Sequence, residues 1–438
     1  MTLSDQRNQI LALKVPTGTR IYAGLVALLS GVTFTPISAL TWGLLLALPV
    51  LPRAIRFAYS QYSVYRRALP LTALALATAP LLSMLALQAD SGRDFSVTMA
   101  LAQTAQILST LALGAAVIWC TKSIRITTFL ALWSIGLILA IPLAPGRFEE
   151  NPWKFGLALP ATLIVSLIST KLGSGVFLPA MCLLAVISIR SDYRSWIALL
   201  LIITLIYLVV RARLTQSPRR RLRRGSLIAI GSILLATPLF FLSEILASGL
   251  FGRGIAERSQ TQADLGGNVF IGGRPEWLSA LSLFQREPWG HGLGIVPSTT
   301  DYQIAVSAIP VADPRLTELT TIAQYFRSGY FEFHSILWGS WSHFGVAGLL
   351  IAISLLFACY AALLDASARR IASVPAVIGV SVVVLSMVLD ILFSPFSVTK
   401  IAVGLACLSL LHKSTTANRE KNDPKTTATF QRNNHHEK

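Results

Sequence analysis

Four side chains in this sequence have the types and settings that could do chemistry. Arg190 and Arg194 stand in SIRSDYRSW, Arg274 in GGRPEW, and His334 in YFEFHSILWGSWSHFGVAG. Guanidinium groups stay charged at any working pH and grip phosphate oxygens in pairs, so grouped arginines point to a phosphate ligand. An imidazole exchanges a proton near neutral pH and is a natural general base for a hydroxyl. The glycines of GGRPEW and of REPWGHGLG (286–294) permit close backbone approach or left-handed turns. Each residue alone has a plainer reading. An arginine at a membrane surface commonly snorkels to lipid phosphates, and a histidine at a helix end is usually a satisfied structural group. Glu332 and Asp192 read as helix-end partners or supports before catalytic acids, and His343 as a buried structural group. Trp277, Trp289, Trp338 and Trp341 fit an aromatic belt at the membrane surface, with Trp277 and Trp289 also able to stack on sugar rings.

The elements that must position these residues follow from composition. Of the 438 residues 53% are hydrophobic and only 13% charged, about half the share of a soluble domain. Most of the surface therefore faces lipid. Spans of roughly 20 apolar residues fit at about twelve places: 21–36, 38–52, 70–88, 95–119, 127–144, 155–170, 172–189, 195–210, 226–249, 335–361, 373–394 and 398–412. The runs are continuous and do not alternate, which excludes a barrel wall. The expected fold is an all-α integral membrane protein with one long extracytoplasmic loop containing short helices. Residues 1–20 read as a cytoplasmic N-terminus leading into a retained anchor, 21–249 as nine spans, 250–334 as the loop, 335–412 as three more spans and 413–438 as a disordered cytoplasmic tail.

With 37 Lys and Arg against 20 Asp and Glu, the net charge is +17. A cytoplasmic N-terminus puts most basic residues inside, among them Arg53, Arg56, Arg66, Arg67, Lys122, Arg125, Lys171 and the run at 211–224. That is the positive-inside pattern, and it explains the charge without nucleic acid. The basic run at 211–224 is first a topology determinant and second a place for anionic headgroups. Cys120, Cys182, Cys359 and Cys407 lie in or beside apolar runs without paired spacing and read as small hydrophobes.

This topology brings Arg190, Arg194, Arg274 and His334 to one membrane face at headgroup depth. A loop as long as 250–334 usually carries function. Arginines at that depth suit a lipid-linked pyrophosphate, with His334 as base for a sugar hydroxyl. Neither a D-x-D, an H-E-x-x-H nor a P-loop occurs, and the acids near Asp90 and Asp94 around SGR are a weak metal set. The sequence thus calls for no metal and no other cofactor.

These features resemble the bacterial O-antigen ligases, within the wider group that includes O-antigen polymerases. The likeness covers most of the chain: about twelve spans, cytoplasmic termini and one long late loop. It rests on Ser191 to Arg194 opening a helix, on Gly273, Arg274 and Trp277, on PWGHGLG, and on His334-Ser335 ahead of a glycine-rich span with Gly345 and Gly348. Family members often follow the histidine with Asn and Tyr, where this chain has HSILW. The resemblance implies metal-independent, inverting glycosyl transfer at the periplasmic face of the bacterial inner membrane. The donor would be a glycan on undecaprenyl pyrophosphate and the acceptor a sugar hydroxyl of lipid A–core. Arg194 and Arg274 would bind the pyrophosphate, with Arg190 competing with Arg194, and His334 would position or deprotonate the acceptor. A polymerase joining two lipid-linked glycans is the second reading and shares the same arginines. A transporter is the third, disfavoured because the sequence shows no internal repeat and few charges at mid-span.

Overall fold

A computed structural model describes residues 15–143 (except 35, 36 and 38), 145–215, 253, 256, 257, 260, 275–308, 329, 331, 333–368 and 373–421. The expected span 226–249, Arg274 and Glu332 lie outside the described residues. The chain is an all-α membrane protein. Among the described residues seven helical stretches are long and apolar enough to cross a bilayer, and three further apolar helices are shorter.

The order is α1 (Thr17–Leu29), α2 (Trp42–Ala47), α3 (Leu51–Gln61), α4 (Ser63–Ala89), β1 (Asp94–Phe95), α5 (Val97–Cys120), α6 (Ile126–Ala140), α7 (Pro145–Glu150), α8 (Ala158–Leu172), α9 (Ser174–Arg190) and α10 (Arg194–Thr215). There follow α11 (Pro275–Arg286), β2 (Ile295–Val296), α12 (Thr299–Ser307), α13 (Ile336–Ala368), α14 (Val374–Phe393) and α15 (Val398–Lys421). The apolar run at 38–52 is not one helix. A tight turn at Leu48–Val50 separates α2 from α3, because Pro49 and Pro52 each remove a backbone donor and crowd the preceding turn.

The central helix is α14, buried along nearly its whole length and packed by α8, α10, α13 and α15. In lipid the apolar faces gain nothing by leaving the tails, so packing and interhelical hydrogen bonds hold the bundle. Trp133 Nε1 donates to Thr399 Oγ1 at 2.9 Å, and that hydroxyl donates to Ser30 O at 2.7 Å, tying α6 and α15 to the end of α1. Trp196 Nε1 donates to Thr162 Oγ1 at 3.0 Å between α10 and α8. Trp153 Nε1 donates to Ser188 Oγ at 3.0 Å, and Asn151 Nδ2 donates to Ser191 O at 2.7 Å. These last two bonds fix the turn that carries Arg190 and Arg194.

Candidate functional site

Arg194 is the first residue of α10, as the sequence suggested. Its guanidinium Nε donates to Asp192 Oδ1 at 3.1 Å, and its side chain is 19% exposed. Arg190, the last residue of α9, is exposed. Asp192 is thus a helix-end partner, held with φ at 48°. A positive φ in a residue bearing a Cβ is costly and persists only where its surroundings impose it. One other non-glycine residue among those described has a positive φ: His334, at 45°. The two strained positions therefore fall in the two segments singled out for chemistry.

Ser335, the neighbour of His334, donates from Oγ to Ile391 O at 3.1 Å. Trp277, three residues after Arg274, donates from Nε1 to Leu392 O at 3.2 Å. Consecutive carbonyls at one end of α14 thus anchor the GGRPEW helix and the His334 turn together. These carbonyls belong to the last turn of a helix, which lacks internal donors for them. The ring of Trp277 also stacks on Phe393 with centroids 5.9 Å apart. Trp289 does not join this group and is 69% exposed.

The belt expected of four tryptophans is corrected for two of them. Trp338 and Trp341 are 8% and 0% exposed. They pack with Ala280, Leu283, Phe331 and Phe333 in a second hydrophobic core beneath the loop. Adjacent turns of one helix place them side by side, and α11 closes over them, so burial wins over the membrane surface.

The REPWGHGLG segment is built into this core. Gly290, Gly292 and Gly294 all have positive φ, as the glycine pattern suggested. A Cβ at Gly290 would come within 2.8 Å of the backbone of Gly345, where α13 kinks with φ 62°. The amides of His291 and Gly292 donate to Ser342 O at 2.7 and 3.0 Å. His291 is fully buried, its ring stacked 4.0 Å from Phe331. Its Nδ1 lies 3.3 Å from Ser342 Oγ, while Nε2 has no hydrogen-bond partner among the described residues. Burial pushes the His291 pKa down to about 3, helped by the nearby Arg93 charge. His343 is likewise structural: its ring nitrogen lies 3.0 Å from Gln103 Nε2, and Gln103 Oε1 accepts from Gly294 N at 2.9 Å.

The sequence reading missed Arg93. It set aside SGR as a weak metal site, yet this arginine has no exposed side-chain surface and joins the loop to the bundle. Nε and Nη2 donate to Asp301 at 2.8 and 2.6 Å. Nη1 and Nη2 donate to Glu287 at 2.7 and 2.8 Å, and Nη1 also donates to Ala86 O at 3.1 Å. Burial opposes the charge of Arg93, but hydrogen bonds and attraction from the two carboxylates outweigh it and raise its pKa. Asp301 is buried too, yet Arg93 and the Ser298 amide hold its carboxyl below its usual range. Asp90 accepts from Ser298 Oγ at 2.7 Å, and that bond with one from the Gly92 amide lowers its pKa. β1 pairs antiparallel with β2, Asp94 opposite Val296 and Phe95 opposite Ile295. Residues 90–96 are thus the platform for 287–301. The arginine with two acids far along the chain was the available signal, but only tertiary contact reveals the pairing.

Asp390 was also missed. It is 4% exposed near the anchoring end of α14, with Oδ1 3.5 Å from Lys400 Nζ. The chain matches no protein-family model and no curated protein.

Proposed function

We propose that this protein is a membrane glycosyltransferase that moves a glycan from undecaprenyl pyrophosphate to a sugar hydroxyl of lipid A–core at the periplasmic face of the bacterial inner membrane. The observation that carries the reading is the anchoring of Trp277 and Ser335 to Leu392 and Ile391. That pair of bonds holds the segment preceding the loop's return and the turn bearing His334 at one helix end. The chain trace supports adding Arg194. Helices α5, α6, α8, α9 and α10 follow one another, through short turns except between α6 and α8, where residues 141–157 with the six-residue α7 intervene. Counting reversals from the Arg93 platform returns the chain at Arg194 to the end where α13 begins. The same count, with the run at 226–249 taken as one crossing, brings the end of α15 to the side opposite the Arg93 platform and so supports a cytoplasmic C-terminus.

In the proposed reaction His334 takes the proton of the acceptor hydroxyl as its oxygen attacks the anomeric carbon. The bond from that carbon to the pyrophosphate oxygen breaks with inversion, and the electron pair leaves on undecaprenyl pyrophosphate. Arg194 and Arg274 stabilise the charge that grows on the leaving group, which lowers the barrier directly. The positive φ at His334 supports a held imidazole, since such strain often marks a site that needs fixed geometry. No metal takes part in this scheme.

The deciding experiment incubates purified protein with undecaprenyl-pyrophosphate glycan and lipid A–core. Glycan on the core is expected. Glycan-on-glycan product would establish the polymerase instead, and no product with either acceptor would overturn the transferase reading.

A further inference from the structure

We infer that the bundle end opposite the Arg93 platform carries a binding surface for anionic phospholipid headgroups, built on the short helix α3. The inference is independent of the transferase reading. Ala54 and Ala58 are buried on one side of α3, while Arg53, Arg56 and Ser60 are exposed on the other, spaced by three and four residues. An extended residue, Tyr62, makes an elbow into α4, whose first turns expose Arg66 and Arg67. Lys122, in the turn after α5, lies 3.4 Å over the ring of Phe57 and so joins the same end. The first turn of α1 comes there too, because Tyr22 meets Trp119 edge-on at 6.0 Å.

Segments 17–30, 48–68 and 119–126 contain no Asp or Glu. The basic groups therefore meet no carboxylate from the elements that present them. Arg20 adds a second observation: its Nε is buried and has no hydrogen-bond partner among the described residues. A buried donor of this kind asks for an acceptor, and a phosphate oxygen supplies one at the headgroup level. Exposed Leu48 and Tyr59 flank the arginines with apolar surface, the composition of a helix lying in the membrane surface. A headgroup in the bilayer fits this mixture better than free phosphate, which has no use for apolar flanks.

The test extracts the purified full chain from vesicles of mixed phosphatidylcholine and phosphatidylglycerol and measures the phospholipid retained. Phosphatidylglycerol is expected to be enriched roughly fivefold over its share, the factor that corresponds to about 1 kcal/mol, the contribution of a single basic residue near the membrane surface. Combining Arg53→Gln, Arg56→Gln, Arg66→Gln and Arg67→Gln should abolish the enrichment. The corresponding four Lys substitutions should keep most of it, and Arg286→Gln at the other end should change nothing. For the unaltered protein, high salt should reduce the enrichment, while millimolar inorganic phosphate should not compete. Equal retention of both lipids, enrichment that survives high salt, or enrichment that survives the Gln substitutions would each overturn the proposal. Displacement by phosphate alone would do so as well. Where the fourfold variant fails to fold, the paired variants Arg53→Gln with Arg56→Gln and Arg66→Gln with Arg67→Gln decide the matter. Each should lower the enrichment, and an unchanged enrichment in both would overturn the proposal.

Discussion

The indole of Trp277 lies edge-on to that of Trp338, with ring centroids 6.0 Å apart and planes at 86°. One ring comes from the helix that follows Arg274 in sequence, the other from the first turns of the helix that follows His334. Edge-to-face pairs of this kind contribute about 0.5–1.5 kcal/mol beyond the area they bury. Trp277→Phe keeps an aromatic ring but removes the donor to Leu392 O, worth about 1 kcal/mol. Transfer by that variant is expected to fall several-fold, and Trp277→Ala to cost more than tenfold. Rate measurements on membranes carrying equal amounts of each protein check this; unchanged rates would show that the α14 end does not organise the site.

Arg93 shares one guanidinium between two carboxylates. Removing it strands two buried or half-buried acids, a class of change that costs about 3–5 kcal/mol. Arg93→Ala is therefore expected to release residues 287–308 to proteolysis and to speed their amide exchange. Arg93→Lys keeps the charge but cannot form two forks at once, so it should fall between. Exchange in α8 and α14, which hold no part of this cluster, should stay slow in both variants.

Much of this architecture was legible in the sequence for a simple reason: lipid demands long apolar runs, and such runs are visible without any knowledge of partners. Long runs such as 70–88 and 373–394 correspond to single helices. The glycines of PWGHGLG also announced their left-handed turns, because few other residues adopt them cheaply. The run at 38–52 misled, since hydropathy does not register what Pro49 and Pro52 do to a hydrogen-bond ladder. Trp338 and Trp341 misled because composition cannot distinguish a ring at the membrane surface from one beneath a folded loop. Arg93 was illegible for a stronger reason. Its partners lie about two hundred residues away, and nothing local to SGR indicates them.

Gly345 lets α13 kink where the backbone of Trp289 packs against it. Gly345→Ala would place a Cβ on a positive φ and into that backbone, at a cost of about 1–3 kcal/mol. Thermal unfolding is expected to shift downward and exchange in 287–294 to accelerate. Gly339→Ala, in the same helix with open space around it, should be neutral or slightly stabilising. Equal effects from both substitutions would mean that the kink does not matter.

His291 gives the loop a pH dependence of definite sign. Folding holds its pKa near 3, whereas the exposed imidazole titrates near about 6.5. Between these values the opened segment binds a proton that the closed one refuses, so closure weakens as pH falls. Asp301 and Asp90 have depressed pKa values; their contributions are lost only at lower pH, as the carboxylates protonate. Amide exchange across 287–301, corrected for the intrinsic rate, should show protection declining from pH 7 to pH 5. His291→Asn should flatten that decline, and a decline identical to that of the unaltered protein would remove His291 as its cause.

The roles proposed for Arg194 and His334 separate in kinetics. A cation that holds pyrophosphate in the ground state as well as in the transition state acts on donor affinity and on turnover. Arg194→Ala also removes the ion pair with Asp192 at 3.1 Å and leaves a carboxylate without that cation near the place proposed for a polyanion. Weaker donor binding and turnover reduced by two orders of magnitude or more are expected; Arg194→Lys should recover part of both. A lost general base typically costs about 10²–10⁴ in rate with donor affinity intact, the outcome expected for His334→Ala. Loss of donor binding in His334→Ala with normal turnover at saturation would exchange the two assignments, and inhibition by EDTA reversed by Mg²⁺ would replace the arginine clamp with a metal.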